Sequence, residues 1–196
     1  EELKTLRKFG SRLQGHPERE RLPGIETTSG PLGSGLSQAA GMAYGAKMDK
    51  KKLWVYCLMS DAEQEAGNTW EAAMFASKYR LNNLIGVIDR NNIQIDGMTE
   101  DIMPLEPLSD KYKSFGWHVI DIDGNNIRDF VEAVGEAGNV KEKPTLIMAH
   151  TVPGKGIKEI EGDFLWHGKP PKPDEAKRFL EELRVLEEKI KTEHKN

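Results

Sequence analysis

The segment that most constrains the fold is "LWVYCLMSDAEQEAGNTW" (53–70), in which an apolar run ends at an acid, Asp61. The run "LWVYCLM" (53–59) is the kind of segment that a chain buries on both faces, as in a strand of a parallel sheet. A carboxylate at the end of a buried strand is costly unless it has a partner. We therefore expect Asp61 to have a partner or a ligand at the end of this strand.

Three further apolar runs resemble strands: "LIGVID" (84–89), "WHVIDID" (117–123) and "PTLIMAH" (144–150). Helix-like segments lie between and around them, near residues 33–47, 66–80, 107–114, 126–137 and about 174–193. Continuous apolar strands that alternate with helices are typical of a parallel sheet covered on both sides. We therefore predict an α/β fold: a doubly wound, mostly parallel sheet with helices on both faces.

Composition limits the classes of function. A chain of 196 residues with 37% apolar content suits a single domain, 1–196. A net charge of -4 argues against nucleic acid as a partner, and no apolar run approaches the roughly 20 residues that cross a membrane. The single cysteine, Cys57, lies inside an apolar run and is predicted to be a core residue. We expect a cytoplasmic protein.

Asp61 and Asn91 are predicted to meet at one edge of the sheet. A helix of 12 residues travels about 18 Å away from Asp61, and the following strand returns about 20 Å. The two displacements nearly cancel, so Asn91 should emerge beside Asp61, where ligands collect in α/β sheets. Carboxylate and amide oxygens suit Mg²⁺, with Ca²⁺ or Mn²⁺ as substitutes, and Mg²⁺ completes its shell with phosphate oxygens. A phosphate ester is therefore the implied ligand.

Two other interpretations remain open. Asp61 could be a helix N-cap, with Gln64 completing a capping box. The glycine-rich "GPLGSGLSQAAG" (30–41) lacks the Lys-Ser/Thr ending of a P-loop and the third glycine of a dinucleotide fingerprint. Its glycines would serve either close approach to a flat ligand or tight packing.

Several motifs resemble a known family. "SDAEQEAGNTWEAAMFASKYRLNNLIGVIDRNN" (60–92) resembles the thiamine diphosphate motif, in which Gly-Asp-Gly is followed about thirty residues later by asparagine. "GHPERERLPGIETTSGPLGSGLSQAAGMAYGAK" (15–47) and "WHGKP" (166–170) resemble transketolase more narrowly. The resemblance runs from about Gly15 to Lys169. It matches the diphosphate-binding half, which is the separate N-terminal subunit where transketolase is split into two chains. We expect the family's own N-terminal segment to be missing from this sequence.

The resemblance implies a metal and diphosphate site. Its metal ligands would be Asp61, Asn91 and the backbone carbonyl of Ile93. Ser60 and Ala62 would offer backbone groups near the diphosphate. The implied cofactors are thiamine diphosphate and Mg²⁺.

The resemblance also implies residues around the organic part of the cofactor. Gly30 and Leu32 would lie against the aminopyrimidine ring. His16 and His167 would face the reactive carbon and the ketose hydroxyls as catalytic residues. Histidine suits such proton transfer because it can give and take a proton near neutral pH.

Within the motifs, this sequence departs from the family pattern in two ways. Ser60 and Ala62 replace the two glycines that flank the metal-binding acid, which is tolerable where their backbone angles are ordinary. Ala66 stands where the family carries a glutamate that links the two active sites of a dimer. Glu65 lies about 100° away around a helix and is not a safe substitute. Coupling between active sites is therefore in question.

The implied activity needs a second chain. The family's catalytic glutamate lies in a pyrimidine-binding domain, and only about 27 residues follow Lys169, too few for a domain. We therefore expect an obligate C-terminal subunit, in an assembly with two copies of each chain, that moves a two-carbon ketol unit between sugar phosphates. The alternatives are a noncatalytic module that binds the cofactor or a partner, and a relative such as deoxyxylulose phosphate synthase. Retention of Asp61, Asn91, His16 and His167 favours the catalytic interpretation.

Overall fold

The computed structural model describes residues 1–193 as an α/β fold around a parallel sheet. Its strands are β1 Val55–Ser60, β2 Leu84–Arg90, β3 Ile93–Gln94, β4 Gly97–Met98, β5 His118–Asp123 and β6 Thr145–His150. Its α-helices are α1 Gly35–Met48, α2 Gly67–Lys78, α3 Thr99–Ile102, α4 Leu108–Ser114, α5 Ile127–Ala137 and α6 Pro173–Glu193. Short 3-10 helices lie at Glu2–Thr5, Ala62–Glu65 and Phe164–Trp166. The predicted strands and helices are confirmed, with ends that shift by one to two residues.

The main sheet has the strand order β1-β2-β6-β5, and every neighbouring pair is parallel. All four carboxyl ends therefore lie at one edge. Ser60 at the end of β1 is in register with Asp89 of β2, and Asp89 is in register with Ala149 of β6. The residues that follow these positions are brought together there. A two-stranded antiparallel hairpin, β3-β4, leaves this edge immediately after β2.

Helices cover both faces of the sheet, as predicted. On one face, α1, α2 and α4 contribute small or aromatic side chains to the larger core, among them Ala43, Ala73 and Tyr112. On the other face, Ala133 and Ala137 of α5 are buried with residues of β2 and β6. The alanines let these helices approach the sheet closely, which suits the flat surface of packed parallel strands.

The prediction that the first apolar run is buried on both faces is wrong. β1 begins at Val55, and its side chains alternate between buried and exposed. Tyr56 is 57% exposed and Leu58 is 76% exposed. The cause is the position of α5, which packs on β5 and β6 and leaves the second face of the edge strand β1 uncovered within residues 1–193.

The C-terminal amphipathic helix is confirmed as α6, but only part of its apolar side is buried. Phe179 is 5% exposed and meets Trp166 edge to face, with ring centroids 5.5 Å apart. Other apolar residues of this helix remain partly exposed: Leu180, Leu183, Leu186 and Ile190. Among the described residues, no helix is long and apolar enough to pass through a membrane.

Candidate active site

Asp61 is fully buried at the carboxyl edge of the sheet, and its carboxylate accepts three hydrogen bonds. Its Oδ1 atom accepts from the backbone N–H of Ala62 at 2.7 Å. Its Oδ2 atom accepts from the backbone N–H of Asn92 at 2.6 Å and from Nη1 of Arg90 at 2.9 Å. The predicted meeting of the ends of β1 and β2 is confirmed. Asp61 also caps the short 3-10 helix, so capping and a place at the site are compatible.

The charge on Asp61 is held in a poorly solvated position. Burial raises the pKa of the Asp61 carboxyl above its ordinary value, and hydrogen bonds from Arg90 and two backbone N–H groups offset only part of that effect. An additional cation near this carboxylate would stabilise its ionised form. The chain therefore presents a carboxylate that gains from a metal ion.

Asn91 shapes the turn that follows β2. Its Oδ1 atom accepts from the backbone N–H of Ile93 at 2.8 Å, and its Nδ2 atom donates to Asp89 at 3.3 Å. The next residue, Asn92, has a φ of 63°, a left-handed conformation that asparagine tolerates. This conformation accompanies the hydrogen bond from the Asn92 N–H to Asp61.

Sequence reasoning missed Arg90, which lies between Asp89 and Asn91 and is 1% exposed. Its guanidinium contacts Asp61 at the end of β1 and three residues of the segment after β4: Thr99, Glu100 and Glu106. The sequence did carry a signal, because Arg90 ends a buried strand at the same sheet edge as Asp61. An arginine there needs acidic partners that only the fold identifies.

The glycine-rich loop before α1 is attached to the end of β1 by Glu63. The Glu63 carboxylate accepts from the backbone N–H of Gly33 at 2.8 Å and from that of Ser60 at 3.4 Å. Gly33 has a φ of 79°, and a Cβ atom there would lie 2.5 Å from the Cβ of Ala66. Tight packing is therefore the reason for this glycine.

Gly30 and His16 come together from different parts of the chain. Gly30 has a φ of 137°, and a Cβ atom on it would lie 3.0 Å from Cγ of His16. The flanking segments are joined by a hydrogen bond from the N–H of Ser29 to the carbonyl of Pro17 at 3.2 Å. Leu32 is 64% exposed beside this loop. The predicted ring-facing residues and His16 thus share one exposed surface.

His167 lies in a cleft of about 730 Å³ that also contains Asp89 and Asn91. The cleft is lined on its other sides by Trp166 and Phe179, and by residues 151–154 after β6. His167 therefore shares a cavity with Asn91, the residue that follows β2. His16 is not among the residues that line this cleft.

The structure shows where the residues that depart from the family pattern lie. Ser60 ends β1 and Ala62 begins the 3-10 helix, and neither has a positive φ. The 3-10 helix Ala62–Glu65 lies between β1 and α2, which begins at Gly67. Glu65 and Trp70 line the same shallow pocket, and the buried Oε1 of Glu65 has no hydrogen-bond partner among residues 1–193.

The donor chemistry of this edge fits a hard cation. Asp61 and Asn91 present carboxylate and amide oxygens, which suit Mg²⁺ and related ions. Within residues 1–193, no three or more His, Cys, Asp or Glu side chains converge as a metal site. A cation here would therefore complete its shell with backbone, water or phosphate oxygens. Gly30 provides a surface without a Cβ beside His16.

These features define a class of protein. A parallel α/β sheet with a buried acid and an asparagine at its carboxyl edge, near a glycine-rich loop, is an α/β domain of the kind that binds ligands at the carboxyl ends of its strands. The family described as "Transketolase, thiamine diphosphate binding domain" matches residues 1–190. The chain belongs to this family, which confirms the resemblance read from the sequence.

Relatives support the same assignment. Over 190 residues the chain is 42% identical to an apulose-4-phosphate transketolase subunit of Phocaeicola vulgatus, and the match covers 97% of this chain and 67% of that protein. It is 45% identical over 165 residues to "6-deoxy-6-sulfo-D-fructose transketolase subunit SqwG" of Clostridium sp. (strain MSTE9), covering 84% of this chain and 60% of that protein. The chain thus spans about two thirds or less of these relatives.

Solved structures show the same fold. A transketolase variant from Pichia stipitis superimposes with a TM-score of 0.83 at 34% identity, covering 91% of this chain and 28% of that one. Transketolase from Campylobacter jejuni gives a TM-score of 0.78 at 33% identity, covering 83% and 26%. The α/β fold predicted from the sequence is therefore confirmed by the parallel sheet of this chain and by its similarity to these solved structures.

Proposed function

We propose that this chain is the diphosphate-binding subunit of a two-chain transketolase that requires thiamine diphosphate and Mg²⁺. The observation that carries this proposal is the buried Asp61 carboxylate beside the Asn91 turn at the carboxyl edge of the sheet. The reaction is transfer of a two-carbon ketol unit from a ketose phosphate to an aldose phosphate. The names of the two relatives, both transketolase subunits, support this reaction class.

The chain's own residues would hold the cofactor at its charged end. Asp61, Asn91 and the carbonyl of Ile93 would bind the metal, with Ca²⁺ or Mn²⁺ able to replace Mg²⁺. The backbone at Ser60 and Ala62 would lie along the diphosphate. Thiamine diphosphate supplies the carbon centre that accepts and releases the two-carbon unit.

Two ring-facing residues and two histidines would complete this half of the active site. Gly30 and Leu32 would contact the aminopyrimidine ring, which the glycine permits because it has no side chain. His16 and His167 are both exposed and would move protons to and from sugar hydroxyls. Trp166 and Phe179 would exclude water from one side of the cleft that contains His167.

The remainder of the active site would come from a partner chain. We propose that residues 1–196 form one diphosphate-binding domain, and that a C-terminal subunit supplies the pyrimidine-binding domain. The term "subunit" in the names of the two relatives supports a multichain enzyme. An assembly with two copies of each chain, and a cytoplasmic location, are further parts of the proposal.

The first test is two-carbon transfer from xylulose 5-phosphate to ribose 5-phosphate with thiamine diphosphate and Mg²⁺. The chain is assayed alone and mixed with a candidate pyrimidine-domain chain from the same source. Asp61→Ala removes the proposed ligand, and Asp96→Ala, an exposed acid of the nearby hairpin turn, is the matched control. Activity in the mixture that is lost in Asp61→Ala and kept in Asp96→Ala is the expected result.

Three outcomes would contradict the proposal. Full activity of the chain alone would remove the need for a partner. A stable complex that binds thiamine diphosphate but transfers no two-carbon unit from several ketose phosphates would favour the noncatalytic module. Transfer from pyruvate to glyceraldehyde 3-phosphate instead would assign the deoxyxylulose phosphate synthase class.

A further inference from the structure

Arg90 uses every donor that its side chain possesses. Nη1 donates to Asp61 at 2.9 Å and to Thr99 at 2.8 Å. Nη2 donates to Glu100 and to Glu106, both at 2.9 Å, and Nε donates to Glu106 at 3.3 Å. The five N–H groups of a guanidinium are therefore all engaged. Because Arg90 is 1% exposed, its own N–H groups have little access to water.

These contacts leave the two oxygens of Asp61 in different situations. Oδ2 accepts two hydrogen bonds, from Arg90 and from the N–H of Asn92, whereas Oδ1 accepts one, from Ala62. An ionised carboxylate offers about two acceptor positions on each oxygen. Among the described residues, the spare position is therefore on Oδ1.

We propose that Arg90 is a positioning residue of the metal site. It occupies Oδ2 of Asp61, so that Oδ1 would be the oxygen left to hold a cation, and it ties this orientation of the carboxylate to the segment 99–106. This inference rests on the proposed function, because it assigns Arg90 a part in metal binding at the same site. Arg90 acts through Asp61 and not by contact with the cofactor or the substrate.

The local charge supports this role. One guanidinium faces three carboxylates, those of Asp61, Glu100 and Glu106. Glu100 and Glu106 are 41% and 53% exposed in their side chains, so solvent screens much of their charge, whereas Asp61 is fully buried. The excess of negative charge is therefore felt most at Asp61, and a divalent cation would offset it.

An arginine is required for this geometry, and a lysine would not replace it. The guanidinium joins Asp61 at the end of β1 to Thr99 on α3 and to Glu106 before α4. A lysine has the same charge but only three donors on one nitrogen, so it cannot span these partners at once. Arg90→Lys thus keeps the positive charge and removes the hydrogen-bond geometry, so it tests which of the two matters for metal binding.

The test measures Mn²⁺ binding by electron paramagnetic resonance with thiamine diphosphate present. The full chain is used, alone and mixed with the partner chain of the transfer assay. Arg90→Lys and Arg90→Gln are compared with Arg80→Gln, since Arg80 forms an exposed ion pair with Glu142. We expect the dissociation constant for Mn²⁺ to rise about 10- to 100-fold in the Arg90 variants, the range for groups that orient metal ligands. The control should change less than about twofold.

A second variant keeps the test valid if the Arg90 variants fold poorly. Glu106→Gln removes one partner at a half-exposed position and leaves Arg90 in place. It reduces both the anchoring of Arg90 and the negative charge, so Mn²⁺ binding should weaken, with Glu142→Gln unchanged. Hydrogen exchange in segment 99–106 should become faster in Arg90→Lys and in Glu106→Gln, while amides of β1 stay protected.

The outcomes separate this inference from the proposed function. If the parent protein binds no Mn²⁺ with thiamine diphosphate, or if Asp61→Ala binds it equally well, the proposed function fails. If the parent binds Mn²⁺, Asp61→Ala loses it, and folded Arg90→Lys and Glu106→Gln retain parental affinity, only the role of Arg90 is overturned. Weaker Mn²⁺ binding in both variants with β1 protected supports the positioning role.

Discussion

The carboxylate of Glu63 accepts a hydrogen bond from the backbone N–H of Gly33 at 2.8 Å, although thirty residues separate them. Its other oxygen accepts from the backbone N–H of Ser60 at 3.4 Å. Glu63 therefore fixes the glycine-rich loop against the end of β1, where Asp61 lies. The loop and the proposed metal ligand are held in one arrangement by a side chain that is 9% exposed.

Replacing Glu63 should loosen this arrangement without unfolding the domain. In Glu63→Ala, the Gly33 amide loses its acceptor, so its hydrogen exchange should become faster by at least about tenfold. The affinity of the complex for thiamine diphosphate should fall by a similar factor, as measured by calorimetric titration. Glu71→Ala, at an exposed position on α2, is the matched control. An unchanged Gly33 amide in Glu63→Ala would show that another group fixes the loop.

The packing at Gly33 predicts opposite effects for two glycine substitutions. Gly33→Ala forces a side chain into a left-handed conformation and toward the Cβ of Ala66, so it should destabilise the domain by about 2 kcal/mol or more. Gly41→Ala lies inside α1 with open space around its Cβ, and it should stabilise by about 0.5–1 kcal/mol. Urea unfolding of the two variants measures both changes. Equal midpoints would contradict the close contact between Gly33 and Ala66.

Cys57 should be unreactive in the folded protein. Burial raises the pKa of the Cys57 thiol to about 12, with a smaller contribution from the nearby Glu63 carboxylate. At pH 8 a disulfide reagent should therefore modify the native thiol at least about a hundredfold more slowly than the urea-unfolded chain. Rapid modification with retained circular dichroism would mean that β1 opens locally.

The same thiol makes stability depend on pH in the alkaline range. Below about pH 9, the ordinary value, the thiol of Cys57 is neutral in both the folded and unfolded states. Between pH 9 and about 12 the unfolded chain loses the proton and the folded chain keeps it, so the free energy of unfolding should fall as pH rises. Cys57→Ala should show a smaller decline over that window in urea titrations. Equal declines would assign the pH dependence to other groups.

His167→Ala should lower turnover more than cofactor binding. His167 lies in the cleft with Asn91, but it is on a different loop from the proposed metal ligands. In the assembled enzyme we expect kcat to fall by about 10²- to 10⁴-fold, the range for loss of a proton-transfer group, with an unchanged thiamine diphosphate dissociation constant. His118→Ala is the control, because His118 pairs with Glu136 on the surface of β5 and α5. Parental turnover in His167→Ala would make this histidine structural.

Much of the fold could be read from the chain because its signals are local. The apolar runs at 84–89 and 144–150 became β2 and β6, buried on both faces in the middle of the sheet. The run at 53–59 is as apolar as those two runs, so burial on both faces was predicted for it as well. That prediction is wrong because β1 lies at the edge of the sheet, with Tyr56 and Leu58 exposed. Position within a sheet is set by which strands pair, and the composition of one strand does not encode it.

The sequence by itself determined the meeting of Asp61 with the Asn91 turn, since the rise per residue of helix and strand fixes where a chain returns. Tertiary structure alone decided that Arg90 contacts Asp61, Glu100 and Glu106. It also decided that Glu63 accepts a hydrogen bond from Gly33 of the glycine-rich loop. These partners lie between 10 and 30 residues apart in the chain, and side-chain direction selects them. The course of a helix or strand follows from the local geometry of the backbone. Buried charge pairs, in contrast, form only once the surrounding elements exclude water.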